Sequence, residues 1–187
     1  MHISFAPFLQ FDGPVNKIYL WGMMGAGKST YGKRIAASLG WEWVDLDDMI
    51  ENTEGRSISL IFEREGEAYF RTLEKSCLAK LNGQQKIVVS TGGGTPCFSD
   101  HADLMLDQGL SIWLDAPAGA LAKRLETASV ERPLIRSKKG ETLVNYLQEL
   151  LDERSTFYKK AHLIVNVMQM KPKELSDHLV GIIQERS

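Results

Sequence analysis

The sequence predicts an α/β fold in which helices cover a parallel β-sheet. Short apolar runs alternate along the chain with segments of helical period, as in sheets whose parallel strands are joined by helices. The first apolar run also leads directly into a glycine-rich loop that opens a helix. A chain of 187 residues with 43% apolar content closes one sizeable core. We therefore expect a single domain, residues 1–187, with residues 1–16 as an N-terminal extension.

The glycine-rich loop, residues 22–30 (GMMGAGKST), follows the apolar run at residues 17–21. It fits the pattern GxxxxGK[ST], in which backbone N–H groups converge on phosphate oxygens at a helix N-terminus. Lys28 is expected to reach the β- and γ-phosphates, and Ser29 to offer its hydroxyl to Mg²⁺. A turn that only caps a helix is the alternative, and the strand before the loop and the helix after it count against that alternative.

Four further apolar runs predict the other strands. The run at residues 86–90, KIVVS, is continuous and rich in β-branched residues, which is typical of a strand buried on both faces of a parallel sheet. The remaining runs are residues 41–44, 110–114 and 162–167. His162 is placed just before the last strand and is given no chemical role.

The segments between the strands have helical spacing. Residues 29–39 carry apolar residues at this spacing and stop at Gly40, a residue type favoured just past a helix end. Pro117 is tolerated in the first turn of a helix. Further helices are predicted at residues 55–62 (a turn followed by a short helix), 66–81, 117–125, 141–161 and 173–184.

Three carboxylates follow the second predicted strand, at the edge of a parallel sheet where ligands bind. Asp45 and Asp47 are two residues apart, so on an extended segment they point to the same side. One could hold water around Mg²⁺ while the other meets a substrate hydroxyl. A solvated turn or a helix cap is the alternative, which we favour for Asp48.

A glycine run and two arginines are further candidates. Residues 92–94 are three glycines after a core strand, which indicates unusual dihedral angles or backbone contact with a ligand rather than a flexible linker. Arg71 and Glu74 could form a surface ion pair, but their order along the helix is the less stabilising one. Arg154 is in phase with an apolar helix face, so it needs an anionic partner, either from a buried structural ion pair or from a ligand.

Residues 126–140 are basic and contain few large apolar side chains. Such a segment buries little surface, so we expect it to be mobile, and its position near a nucleotide suggests a lid. A solvated connection between helices is the alternative, and composition alone slightly favours it.

The global composition argues against several functional classes. A net charge of −2 and a pI of about 6.1 predict neither a nucleic-acid nor a membrane surface. No apolar run approaches the ~18 residues that span a bilayer, and the N-terminus lacks the pattern of a secretory signal. Cys77 and Cys97 are interpreted as free thiols of a reducing cytosol.

From about residue 17 to residue 166, the ordered combination of these features resembles the shikimate kinases, in the nucleoside-monophosphate-kinase branch of P-loop proteins. The resemblance implies the three-layer P-loop kinase fold, with a five-stranded parallel sheet of order 2-3-1-4-5, helices on both faces and a mobile lid. The elements that carry it are residues 22–30, Asp45-Leu46-Asp47, Phe70-Arg71 with Glu74, residues 90–94, Arg132-Pro133-Leu134, and Arg154 followed by Tyr158 and Ala161.

The same resemblance implies roles for individual residues. Asp47 would bind the substrate hydroxyls and is the candidate base, while Arg71 and Arg154 would hold the shikimate carboxylate. Arg132 would move in with the lid to meet the phosphates, and Arg124 would lie against adenine. The implied sets are Lys28, Asp47 and Arg132 for catalysis; Gly25, Ala26, Gly27, Lys28, Ser29, Thr30, Arg124 and Arg132 for ATP; Asp47, Arg71, Glu74, Gly93, Gly94 and Arg154 for the acceptor; and Ser29 and, through water, Asp45 for Mg²⁺.

The function implied is Mg²⁺-dependent transfer of the γ-phosphoryl group of ATP to the 3-hydroxyl of shikimate, in aromatic amino-acid biosynthesis. We expect a cytoplasmic monomer that binds ATP and shikimate, with no nucleic-acid or membrane partner. A kinase for another small hydroxylated acid such as gluconate, or for a nucleoside monophosphate, is one alternative, and a non-catalytic nucleotide-binding module is another. The sequence departs from the family pattern at His101, where asparagine is expected.

Overall fold

A computed structural model of the chain describes residues 14–98, 100–127 and 139–185. Its centre is a sheet of five parallel strands in the spatial order β2-β3-β1-β4-β5, which confirms the predicted fold class. The strands are β1 (Lys17–Trp21), β2 (Glu42–Asp45), β3 (Ile87–Ser90), β4 (Leu110–Asp115) and β5 (Leu163–Asn166).

Helices cover the sheet on both faces. Every residue of β1 and of β3 is buried, and because alternate side chains of a strand point to opposite faces, neither face is open to solvent there. The helices are α1 (Lys28–Leu39), α2 (Leu46–Glu54), α3 (Ile58–Lys80), α4 (His101–Gln108), α5 (Ala118–Thr127), α6 (Gly140–Tyr158) and α7 (Pro172–Glu185), and Thr95–Cys97 forms a single 3-10 turn.

The helices expected at residues 55–62 and 66–81 are confirmed, because α3 contains both and its helical conformation is interrupted between them at Gly66, where φ is 79° and ψ is 179°. Two other local predictions are wrong in their details. Lys86 has a φ of 58°, so β3 begins one residue later than expected. Asp45 and Asp47 do not share an extended segment, because the chain turns into α2 directly after Asp45.

The parallel order of the strands brings three loops to one edge of the sheet. Strand β3 lies between β1 and β2, and Ser90 at its end is aligned with Leu20 and with Asp45. The phosphate loop, the start of α2 and the glycine run after β3 therefore begin side by side. This edge is where open parallel sheets bind their ligands.

The predicted lid, 126–140, and the extension, 1–16, lie mostly outside the described residues. Glu126 belongs to the end of α5 and Gly140 opens α6, and the Gly140 N–H donates to Glu126 Oε1 at 2.7 Å. Arg132 is one of the residues outside. Within the described part of the chain, no helix combines the length and apolar character needed to cross a membrane.

Candidate active site

The phosphate loop joins β1 to α1 and has the backbone shape that its glycines allow. Gly22, Gly25 and Gly27 have φ values of 136°, 81° and 99°, which side chains other than glycine rarely adopt. A Cβ atom on Gly22 would also lie 2.7 Å from the carbonyl oxygen of Leu114, so the loop passes against β4. Gly27 precedes α1 without a side-chain cap. The first N–H groups of α1 therefore have no capping side chain and form a site suited to phosphate.

Two cationic side chains lie on this loop. Lys28 Nζ donates to the carbonyl oxygens of Gly22 and Met23 at 2.8 and 3.0 Å. Arg124, from α5, has its Nη1 3.3 Å from the Gly25 carbonyl oxygen and 3.4 Å from that of Ala26. The structure thus brings together the described residues predicted to bind ATP, namely Gly25, Ala26, Gly27, Lys28, Ser29, Thr30 and Arg124.

Ser29 and Asp45 form a hydroxyl–carboxylate pair beside the loop. Ser29 Oγ donates to Asp45 Oδ2 at 2.9 Å, while Asp45 Oδ1 accepts the N–H of Asp47 at 3.1 Å and caps α2. Asp45 therefore acts as a helix cap, which is the alternative that the sequence allows, and it also faces the phosphate loop. Within the described ranges, no three His, Cys, Asp or Glu side chains cluster to hold a metal. The pair suits Mg²⁺, which takes few protein oxygens and fills its shell with phosphates and water.

A cavity of about 190 Å³ opens next to the loop, at the end of β3. Asp47 from α2, Arg71 and Glu74 from α3, and Arg154 from α6 reach it from different parts of the chain. Its charged groups lie beside an apolar wall. The full lining is Met24, Asp47, Ile58, Phe62, Phe70, Arg71, Glu74, Gly92, Gly93, Gly94 and Arg154.

Arg71 is held by several neighbours. Its Nη1 donates to Glu74 Oε2 at 2.9 Å and its Nη2 to Glu67 Oε1 at 2.9 Å. The Phe98 ring lies under the guanidinium, with 3.6 Å between Cζ and the ring centroid. The side chain is 17% exposed, and that of Glu74 is fully buried, so this is not the surface ion pair that the spacing also allowed. The guanidinium is positioned before any ligand arrives.

Glu74 is the buried anchor of this arrangement. Thr95 Oγ1 donates to its Oε1 at 2.6 Å, and His101 Nδ1 lies 3.5 Å from its Oε2. Burial by itself would raise the pKa of Glu74, but the hydrogen bonds from His101 and Thr95 and the charge of Arg71 outweigh it and hold the pKa below its usual value. The carboxyl group is therefore ionised and supports the charge of Arg71.

Arg154 reaches the same cavity from α6. Its Nη1 lies 3.8 Å from Met23 Sδ, and a Cβ atom on Gly93 would be 3.4 Å from that nitrogen. A Cβ atom on Gly94 would be 2.9 Å from Arg71 Nη2. The Tyr158 hydroxyl donates to the Gly93 carbonyl oxygen. The glycine run therefore passes between the two guanidinium groups, where side chains would fill the space they need.

Several contributors were not predicted. Glu67 and Phe98 contact Arg71, and His101 contacts Glu74, although no local pattern singles them out. The apolar wall could have been predicted in part, because Ile58 and Phe62 are four residues apart at the start of a helix and so lie on the same helix face.

The remaining residues with possible chemistry have structural roles. Both cysteines are free thiols, as expected, and burial raises the pKa of Cys97 to about 11, so that thiol is neutral. His162 Nδ1 accepts the N–H of Ser111 at 3.1 Å next to the start of β5.

Comparisons with known proteins agree with this geometry. A family model described as shikimate kinase matches residues 24–184. The shikimate kinase of Persephonella marina is 37% identical over 170 residues, which cover 91% of this chain and all of that protein. Two solved structures are also similar. The shikimate kinase from Bacteroides thetaiotaomicron has a TM-score of 0.83 at 34% identity, covering 91% of this chain and 98% of that one.

The second structure is a shikimate kinase from Acinetobacter baumannii in complex with shikimate, with a TM-score of 0.82 at 32% identity. It covers 97% of this chain and 99% of that one. The sequence relative, the two structures and the family model agree over most of the chain, and all bear the same description. This protein is therefore a kinase and belongs to the shikimate kinase family.

Proposed function

We propose that this chain transfers the γ-phosphoryl group of ATP to the 3-hydroxyl of shikimate, giving shikimate 3-phosphate and ADP. One observation carries the proposal. The guanidinium groups of Arg71 and Arg154 and the carboxylates of Asp47 and Glu74 line a small cavity directly beside the phosphate loop. This arrangement suits an acceptor that has a carboxylate at one end and hydroxyls at the other.

The two arginines would bind the acceptor carboxylate. Each presents a planar fork of donors that matches a carboxylate, and the two forks reach the cavity from α3 and α6. Gly93 and Gly94 would approach the ring hydroxyls through their backbone, because no side chain stands between them and the cavity. Glu74 would act through Arg71 and hold its guanidinium in place.

The phosphate loop and Arg124 would hold ATP. The N–H groups at the start of α1 would bind the β-phosphate, and Lys28 would meet the β- and γ-phosphates. Ser29, and Asp45 through a water molecule, would hold Mg²⁺, which when bound neutralises developing charge on the phosphoryl oxygens. Arg124 contacts the phosphate loop, and its stacking against adenine stays a prediction. So does the role of Arg132, which lies outside the described residues.

Phosphoryl transfer asks the protein for position and charge more than for covalent chemistry. Asp47 would accept a hydrogen bond from the attacking hydroxyl, orient it toward the γ-phosphate and take its proton. Lys28 and Arg132 would stabilise the charge that develops on the transferred group. Closure of a lid at residues 126–140 would exclude water, which otherwise competes as the acceptor.

The wider setting is also a proposal. We infer one kinase domain over residues 1–187, in which residues 1–16 form an extension. The chain would act as a cytoplasmic monomer on ATP and shikimate, with neither a nucleic acid nor a membrane as partner. Free thiols at both cysteines suit a reducing compartment.

The test is ADP release by the purified protein with ATP and Mg²⁺, with shikimate, gluconate and a nucleoside monophosphate offered separately. We expect turnover with shikimate alone and, in Asp47→Asn, a kcat lower by about a hundredfold or more, because general-base contributions reach 10²–10⁴. Asp48→Asn is the matched control, since this exposed neighbour does not line the cavity. Turnover with gluconate instead would overturn the acceptor assignment. ATP binding without turnover of any acceptor would leave a nucleotide-binding module.

A further inference from the structure

We infer that His101 is a positioning residue for the acceptor carboxylate site and acts through Glu74 and Arg71. The inference rests on the proposed function. His101 opens α4 and its side chain is 2% exposed, so it is part of the interior behind the cavity rather than of its lining. No step of the phosphoryl transfer uses it.

The surroundings of His101 determine where its proton sits. Its Nδ1 lies 3.2 Å from the carbonyl oxygen of Thr95 and 3.5 Å from Glu74 Oε2. Both neighbours are acceptors, so Nδ1 carries a hydrogen whether the ring is neutral or charged. The imidazole therefore donates toward the 3-10 turn and toward α3 at the same time, and it ties these two elements together.

This contact completes the environment of a fully buried carboxylate. Glu74 Oε1 accepts from Thr95 Oγ1, while Oε2 accepts from Arg71 and faces His101. Donors at both oxygens fix the plane of the carboxylate, and a fixed carboxylate fixes the guanidinium bound to it. Arg71 Nη2 is then held close to Gly94, at the glycine edge of the cavity.

Loss of the Nδ1 donor would leave Glu74 Oε2 with Arg71 as its donor and Oε1 with Thr95, so the plane of the carboxylate would be held less firmly. The ion pair with Arg71 would then be less well aligned, and the acceptor carboxylate would bind more weakly. Nothing in this chain of contacts touches the phosphate loop. The predicted signature is thus a higher KM for the acid, with kcat and the KM for ATP unchanged.

The experiment compares His101→Leu, His101→Asn and the control His178→Leu, which changes an exposed histidine in α7. In His101→Leu we expect the KM for shikimate to rise about tenfold, the lower end of the range for one hydrogen bond to a charged group. The side-chain amide of asparagine can place an N–H where Nδ1 stands, so His101→Asn is expected to restore the KM to within about threefold of wild type. Should His101→Leu fail to fold, His101→Gln replaces it, because its amide corresponds to Nε2 rather than Nδ1.

A second readout needs no turnover. NMR signals of the Arg71 guanidinium report how strongly its rotation is restricted, and we expect faster rotation in His101→Leu than in wild type or in His101→Asn, although Glu67 and Phe98 still contact the guanidinium in all three proteins. A lower kcat together with higher KM values for both shikimate and ATP, or no rescue by asparagine, would show a merely structural histidine. If wild type turns over a different acid, the proposed function fails and the same KM comparison is made with that acid; if it turns over none, the NMR signals decide.

Discussion

Gly32 lies on the face of α1 that packs against the sheet, and replacing it with alanine tests how closely the phosphate-loop helix must approach β2 and β3. A Cβ atom at this position would lie 2.6 Å from Trp43 Nε1 and 2.7 Å from Ser90 Oγ. These two atoms are hydrogen-bonded to each other at 3.1 Å. Both distances are shorter than any real carbon contact, so Trp43 and Ser90 must move or α1 must shift.

The expected cost follows from three contributions. Breaking the Trp43–Ser90 hydrogen bond costs about 1 kcal/mol, and forcing an extra methyl group into a packed site costs about 1–3 kcal/mol. Alanine in place of glycine inside a helix stabilises the helix by about 1 kcal/mol. We therefore expect Gly32→Ala to lower the free energy of unfolding by about 1–3 kcal/mol.

The measurement is urea unfolding, with Gly181→Ala as the matched control. Gly181 lies in the interior of α7, and a Cβ atom there would meet no heavy atom within 4 Å. The same substitution is thus expected to stabilise that helix by up to about 1 kcal/mol, without change in the m-value. If Gly32→Ala were as stable as wild type or more stable, the close approach of α1 to Trp43 would be refuted.

Two further predictions concern the site and the pH dependence of stability. Arg154→Lys keeps the positive charge but loses the planar fork of donors. The KM for shikimate is therefore expected to rise about tenfold or more, while the KM for ATP stays within twofold. Steady-state kinetics in which both KM values rose together would contradict this prediction. Burial lowers the pKa of His162, so the folded state binds fewer protons than the unfolded chain below the ordinary value of 6.5. Wild type is therefore expected to lose stability relative to His162→Asn as the pH falls from about 6.5. Protonation of Nδ1 also removes the acceptor of the Ser111 N–H. If the two proteins differed by the same free energy of unfolding at pH 8 and at pH 5, this reasoning would be contradicted.

Local patterns in the sequence predicted most of the fold. The order of strands and helices follows from alternating periods, and the helix end at Gly40 follows from its left-handed backbone, with φ at 67°. The phosphate loop could also be predicted from the sequence, because its function depends on neighbouring residues with a fixed spacing. The strand order itself came from family resemblance, since periodicity does not determine which strands are neighbours.

The details that failed were decided by single backbone angles. Lys86 adopts a left-handed conformation that its residue type does not favour. The turn after Asp45 placed Asp47 on a helix rather than on a strand. The cap by Asp45 is a local signal that the sequence offered as an alternative, whereas the angle at Lys86 does not follow from its residue type.

The sequence by itself determined which chemical groups this protein carries and, except for Asp47, on which elements the predicted site residues of the described chain lie, because loops, caps and helix faces are set by residues a few positions apart. Only the tertiary structure decided which of these groups meet. Glu74 is ionised although it is buried, because His101 and Thr95, more than twenty residues away, and the charge of Arg71 stabilise its carboxylate, and Arg71 and Arg154 line the same cavity. Contacts of this kind arise from the packing of α3, α4 and α6 around the end of β3, and no spacing along the chain encodes them.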